Sequence, residues 1–428
     1  MTQTGEPAAR AVRRGAVRPG ERVLAPDLAR GAMLLLIVLS NTTFYLWAAR
    51  YGPSGWHPVD GSALDRAVQF AMIVGLDLRV YPLFAFLFGY GMMQLFLRQT
   101  AAGTSERAAA ALLRRRSLWL LVFGFAHAAL LMAGDILGVY GLLSLLLGAL
   151  FLRRAERTVL VWAAVGAALM LVLLASTVLW LLSGSLPAGG GAAEPSFALY
   201  GADESDPLAA AATRLSTWAS LLVTAPLGIT FEVAMLLGFW AARRRVLEET
   251  HRHLRLLWGV AVAGIALGWL GGLPAALAHV GVFSVPAAAL GDFGPIFLIQ
   301  SYTGLPGGLG YVAAFALVAH YLPSRLRSTV PVVAVAAVGR RSLSSYLAHS
   351  LLFSPVLAAW GLGLGAALSS ATMALYAVAV WAATAAAAYA MERTGRRGPA
   401  EVLLRRLVYR DAERSAAPAG PGAESRPG

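Results

Sequence analysis

Long apolar runs, separated by short arginine-bearing segments, recur along the whole chain. A helix rises 1.5 Å per residue, so a run of about twenty reaches across a ~30 Å hydrocarbon core. The runs predict ten spans, at about residues 28–48, 66–97, 117–134, 135–153, 157–184, 215–242, 254–280, 296–321, 341–362 and 366–391. The second is long, with a break expected near Pro82, and the eighth is interrupted by Gly304, Gly307, Gly308 and Gly310. The fold class that follows is all-α, a polytopic integral membrane bundle of about ten transmembrane helices whose principal partner is the lipid bilayer.

Arginine placement orients the bundle. All 35 basic residues are arginine, and 31 of them fall in alternate segments, which the positive-inside rule assigns to the cytoplasm together with both termini. Only Arg50, Arg66, Arg79 and Arg214 lie elsewhere. The net charge of +13 is thus a topology signal and an attraction to anionic head groups, with no nucleic-acid partner implied. Charged residues make up 13% of the chain, about half the share of a soluble domain, which excludes ordinary soluble enzymes. The absence of cysteine and lysine excludes thiolate metal sites, cysteine nucleophiles and Schiff-base chemistry, and no H-E-x-x-H motif is present, so no metal is expected. An Ala-, Gly- and Arg-rich composition suits a bacterial genome, hence a multi-pass protein of the bacterial cytoplasmic membrane. Residues 1–22 are expected to be a disordered cytoplasmic segment, 23–410 the transmembrane domain, and 411–428 a disordered tail. An outer loop at 184–213 divides two five-span halves.

Ionic and polar groups inside an apolar run are costly, so each one is informative. In the first run Asp27 and Arg30 are one turn apart, and Asn41 follows Arg30 by eleven residues, some 16 Å along nearly the same face. Arg79 is the least expected charge. Asp77, two residues away, is on another helix face, so a separate anionic partner is expected. His127 and Asp135 lie on one hairpin, where Asp135 suits a helix N-cap and also the orienting partner of a histidine base. Glu232 is an isolated carboxylate, Ser342 a helix-cap candidate, Ser345 and His349 are one turn apart, and His57 is expected in a solvent-accessible outer loop. Gly264, Gly268 and Gly272, and also Gly304 and Gly308, recur at the four-residue interval that lets helix backbones approach.

Four stretches together resemble the YeiB-like family (domain of unknown function 418). They are Asp27-x-x-Arg30-Gly31 with Asn41; the block from Phe84 to Gly91, with Gly89; His127 with Gly134-Asp135-Ile136-Leu137 and Tyr140; and Gly339-Arg340 with Tyr346. The ending Arg397-Gly398-Pro399-Ala400-Glu401 with Arg405-Arg406 is also similar, so the match is collinear over about residues 22–410. That family is similar to transmembrane acyltransferases. The resemblance implies a bundle of about ten helices, acyl-CoA as a donor substrate from the cytoplasm with no resident cofactor, and an envelope glycan or lipid acceptor on the other side. One branch of that superfamily carries an arginine in its first span and a histidine eleven residues later. Here the arginine is Arg30 and the later residue is Asn41, an amide that cannot act as a base. His127 oriented by Asp135, or His57 from the outer loop, is then the candidate base, Asn41 the oxyanion donor, Arg30, Arg79 and Arg114–Arg116 the candidates for donor phosphates, and Tyr140 a further substrate contact. A permease using the same charges, and a non-catalytic envelope scaffold, stay open on the sequence.

Overall fold

The computed structural model describes residues 24–184 and 193–414, and among them it is helical throughout, with a single isolated β-bridge between Tyr51 and Pro58. Helix α1 (Leu24–Ser40) continues as a 3-10 turn to Tyr45. The second expected span is two helices, α2 (Ala63–Gly75) and α3 (Val80–Ala101). It breaks at residues 76–79, where Leu78 has φ +61°, and not at Pro82. Proline is tolerated in a first turn, because its missing N–H would have no intrahelical acceptor there. Helices α4 (Glu106–Leu130) and α5 (Ile136–Phe151) form an antiparallel hairpin, followed by α6 (Glu156–Ser183). A short α7 (Ser196–Leu199) precedes α8 (Pro207–Thr224), whose amides Leu208 and Ala209 are capped by Asp206. Helix α9 (Thr230–Arg243) completes the sixth span, bent by 63° from the segment before it.

Helices α10 (Leu254–His279), α11 (Ala287–Leu290) and α12 (Pro295–Tyr321) follow. α12 runs unbroken through Gly304–Gly310. Its glycines serve packing: a Cβ on Gly264 would meet the Pro306 carbonyl, and one on Gly268 the Gly307 backbone, so α10 and α12 lie in close contact along their length. The chain ends in α13 (Ser324–Arg327), α14 (Val330–Arg340), α15 (Ser342–Leu357), α16 (Ser370–Arg393) and α17 (Pro399–Arg414). The tail expected from residue 411 therefore begins as helix, and residues 1–22 and 415–428 lie outside the described residues, as do 185–192 of the outer loop.

Six described segments are long and apolar enough to cross a bilayer, and α8 with α9 makes a seventh if the bent pair is one span. The other three expected spans are α4, α5 and α15. The first carries Arg114–Arg116 within its length, and the other two have 16 residues each, about 24 Å of helix against a ~30 Å core. The protein is a multi-pass helical membrane protein in which α3 packs against α9, α12, α1 and α4.

Candidate active site

Where α2 stops, its last carbonyls lose their intrahelical donors, and Arg79 takes their place as donor. Its side chain is 0% exposed and donates to the carbonyls of Ile73 (3.2 Å), Asp77 and Gly268 (3.1 Å from Nε). The anionic partner expected for this arginine is thus replaced by backbone carbonyls. Its guanidinium is held there and is not turned toward a donor phosphate. Gly268, Gly272, Gly304, Gly307 and Gly308 form the cradle around Arg79 and the break: a Cβ on Gly272 would strike the guanidinium, and one on Gly304 the Leu78 carbonyl.

The break presents Asp77 to His57. Contrary to the exposed loop expected, His57 is only 2% exposed, and its Nε2 lies 2.6 Å from Asp77 Oδ2. His279 packs edge-on to His57 with ring centroids 5.8 Å apart, and its Nε2 is 3.3 Å from Gln69 Oε1. His57, Asp77 and His279 wall a cavity of about 280 Å³, with Trp56, Phe283, Phe297 and Gln300 around it. The cavity sits where α10 ends and α12 begins, the face opposite the arginine-rich loops.

His127 and Asp135 also meet. Both side chains are fully buried, with His127 Nδ1 2.9 Å from Asp135 Oδ1. The approach is at ion-pair distance but off a hydrogen-bond line. Since neither group reaches water, the separation marks them as partners. Asp135 is at the same time the N-cap of α5, accepting from Leu137 N (3.1 Å) and Gly138 N (2.6 Å), and it accepts from Trp218 Nε1 (3.2 Å). His127 Nε2 is 2.8 Å from Ser350 Oγ, a partner that the sequence did not suggest. Ser350, Asn41, Tyr346 and His349 line a void of about 10 Å³, enough for one water. Asn41 Nδ2 points to Met132 Sδ at 3.6 Å. His349 pairs with Thr384 (2.8 Å), not with Ser345. Tyr140 is fully buried and donates to the Tyr81 carbonyl (2.8 Å) within an aromatic stack. Gly134 and Gly89 mark close approaches to Tyr200 and to the Met235 backbone.

On the arginine-rich face, motifs from opposite ends of the chain interlock. A Cβ on Gly31 would strike the Val335 carbonyl and one on Gly339 the Asp27 carbonyl, so α1 and α14 cross in contact. Asp27 lies 3.7 Å from both Arg30 and Arg340, and Arg340 and Arg341 share Glu392 at 3.0 and 2.7 Å. Glu401 caps α15 by accepting from Leu343 N (2.9 Å) and Ser344 N (3.2 Å), the role expected of Ser342. Arg114 is exposed, and Arg115 donates to the Val408 carbonyl of α17 (3.1 Å). Arg116 lies over the Phe88 ring at 5.5 Å, close enough to Arg30 for the two charges to repel. The Arg30 guanidinium rests against Gly91. Glu248 accepts from Tyr90 and Gln94 near Arg30, and burial pushes its carboxyl up to about 7.

The candidate residues therefore form three groups: His57 and Asp77 beside Arg79 at the larger cavity, the buried Asp135–His127–Ser350 chain whose last member lines the small void, and Arg30 with Arg116 at the arginine-rich face. No metal-binding cluster of three or more His, Cys, Asp or Glu occurs among the described residues. Sequence reasoning missed the His57–Asp77 pair.

Fold and site together define a multi-pass helical membrane protein with a histidine–carboxylate pair at a membrane-face cavity. Residues 241–411 match the family model described as protein of unknown function (DUF418), and the Gly339-Arg340, Tyr346 and Arg397–Arg406 stretches lie within that match. Uncharacterized protein YxaH of Bacillus subtilis (strain 168) is 27% identical over 410 residues, covering 91% of this chain and 94% of its own. An uncharacterized 39.9 kDa protein in the amylase 3' region of Bacillus acidopullulyticus is 35% identical over 127 residues, 30% of this chain and 33% of its own. No solved structure matches the chain.

Proposed function

We propose that the protein transfers an acyl group from a cytoplasmic acyl-CoA to an acceptor at the opposite face of a bacterial cytoplasmic membrane, an envelope glycan or lipid, with ten spans and both termini inside. The observation that carries this reading is the His57–Asp77 pair on the wall of the 280 Å³ cavity. A buried imidazole tied to a carboxylate is the arrangement of an oriented general base. With Nε2–H donated to Asp77, Nδ1 is left as the basic atom. It takes the acceptor's hydroxyl proton, the acceptor oxygen attacks the thioester carbonyl, and the C–S bond breaks to release the thiol, which carries the proton away. Arg30 and Arg116 suit the donor's phosphates, since guanidinium forks match phosphate oxygens. His127 and Asp135 are fully buried and line neither cavity, and the void beside Asn41 and Ser350 holds one water and no substrate, so the larger cavity favours His57 as the base.

The test is product formation by purified protein given radiolabelled acetyl-CoA and an envelope extract. Labelled covalent product is expected from the wild type, with loss of at least about 100-fold in His57→Gln, within the usual contribution of a general base. No product from the wild type overturns the reading. A permease is the second reading. It draws on the bent α8–α9 pair and on Glu232, whose carboxylate oxygens are buried without hydrogen-bond partners beside that bend. Uptake of unmodified solute into proteoliposomes, without product, would establish it instead.

A further inference from the structure

Three residues that line the 280 Å³ cavity hold an acceptor atom with no hydrogen bond among the described residues: Nδ1 of His57, Oδ1 of Asp77 and Oε1 of Gln300. Each is free because the rest of its side chain is tied. His57 Nε2 and Asp77 Oδ2 meet at 2.6 Å, and Gln300 Nε2 donates to the Ile73 carbonyl (3.1 Å). The second imidazole is tied as well. Gln69 Nε2 donates to Ser370 Oγ (2.9 Å), so Gln69 Oε1 is the acceptor that takes the His279 Nε2–H at 3.3 Å. Among the described residues, Asp77 is the one Asp, Glu or Arg on the lining. Arg79, two residues on, gives its N–H groups to carbonyls and is not part of that lining. The remaining walls are largely apolar, with Trp56 and Phe297 6.1 Å apart between ring centroids and Phe283 alongside.

This lining selects by charge. An anion would meet a carboxylate and lone pairs, with no guanidinium on the wall to receive it. A neutral alcohol would satisfy the lone pairs and leave the carboxylate without a counter-charge. An ammonium group answers both needs: it is all donor, it carries the opposite charge, and it is attracted to aromatic faces. The cavity's size, just under the ~300 Å³ at which pockets for drug-sized ligands begin, suits one small polar body. We propose that the cavity binds an amino alcohol, with its ammonium group on Asp77 Oδ1, Gln300 Oε1 and the ring faces, and its hydroxyl on His57 Nδ1. In making that ligand the acyl acceptor, the assignment rests on the acyl-transfer reading above; the binding preference itself does not.

Two series of probes vary charge at nearly constant size: glucosamine, glucose and glucuronate, and ethanolamine, ethylene glycol and glycolate. In calorimetric titration of the purified wild type, without acyl donor, the amine of at least one series is expected to bind about tenfold more tightly than its neutral partner. That is the margin of a charged over a neutral hydrogen bond. The anion is expected to bind more weakly than either. The series with the larger ratio names the source, an amino sugar or an amino-alcohol head group. Asp77→Asn, its folding checked by Tm, is expected to bring the ratio to about one. Phe283 is 39% exposed on the loop after α10, so Phe283→Leu spares the core. It is expected to raise the Kd of the amine about twofold to fivefold and to leave that of the neutral partner unchanged. Equal affinity within both series, tightest binding of the anions, or no binding of any probe overturns the assignment, and acyl product from the same wild-type protein would leave the acyl-transfer reading standing. An amine preference in a protein that forms no acyl product overturns that reading alone and keeps the cavity's ligand.

Discussion

His57 shows how a single contact changes the meaning of a residue. Read along the chain it is a loop histidine; in the fold it is sealed and joined to Asp77, twenty positions away. Asp77→Asn keeps the shape of the side chain but replaces the accepting carboxylate. It should lower transfer as His57→Gln does, and the double variant should lose no more than either single one, because the two act as a unit. Glu248 gives a prediction of a different kind. Burial first, offset by the charge of Arg30, raises its carboxyl from 4.5 to about 7. Between those values the folded state binds more protons than the unfolded state, so stability falls as pH rises through that window. Thermal unfolding from pH 4.5 to about 7 should show Tm declining, and Glu248→Gln should remove that part of the slope. An unchanged slope in the variant would place the titrating group elsewhere.

At the scale of the helices, glycine placement decides which crossings form. Gly339 sits where a Cβ would meet the Asp27 carbonyl, so Gly339→Ala forces α1 and α14 apart and should cost about 1–3 kcal/mol of stability, as overpacking does. Gly259 on α10 has open space around it, so Gly259→Ala serves as the control and should be neutral or stabilising through helix propensity alone. Glu401 ties α17 to the first turn of α15. Glu401→Ala removes that cap at about 0.5–2 kcal/mol and should render the arginines of α17 more sensitive to trypsin, read by the rate of C-terminal clipping. Some of this was legible in the sequence. The glycine interval announced close packing, Asp135 announced a cap, and the Asp27 and Gly339 motifs announced elements that turn out to touch. The α2–α3 break was not legible at its true place, because proline is the local breaker signal and Leu78, which takes the left-handed conformation, carries none. Arg79 was legible as a buried charge but not as a ligand of carbonyls, since those carbonyls exist only once α2 has ended.

For the molecule as a whole, arginine asymmetry and helix direction agree on two chemically distinct faces. The cavity with His57 lies on one, and Arg30, Arg116 and the α17 arginines on the other. The chain has no cysteine, so single introduced thiols report sidedness cleanly. Ser284→Cys, on the cavity face, should react with an impermeant maleimide added outside intact cells, and Ser328→Cys, beyond α12, only after permeabilisation. The reverse pattern would invert the topology.

The central claim is that two ends of one membrane-embedded site do different work. It is tested most directly in sealed proteoliposomes of determined orientation, with labelled acyl-CoA and acceptor added on chosen sides. Labelled product should form when the donor faces the arginine-rich surface and the acceptor faces the His57 cavity, and should be lost in His57→Gln. Equal product with both substrates confined to the arginine-rich side, or wild-type rates in His57→Gln, would contradict the account.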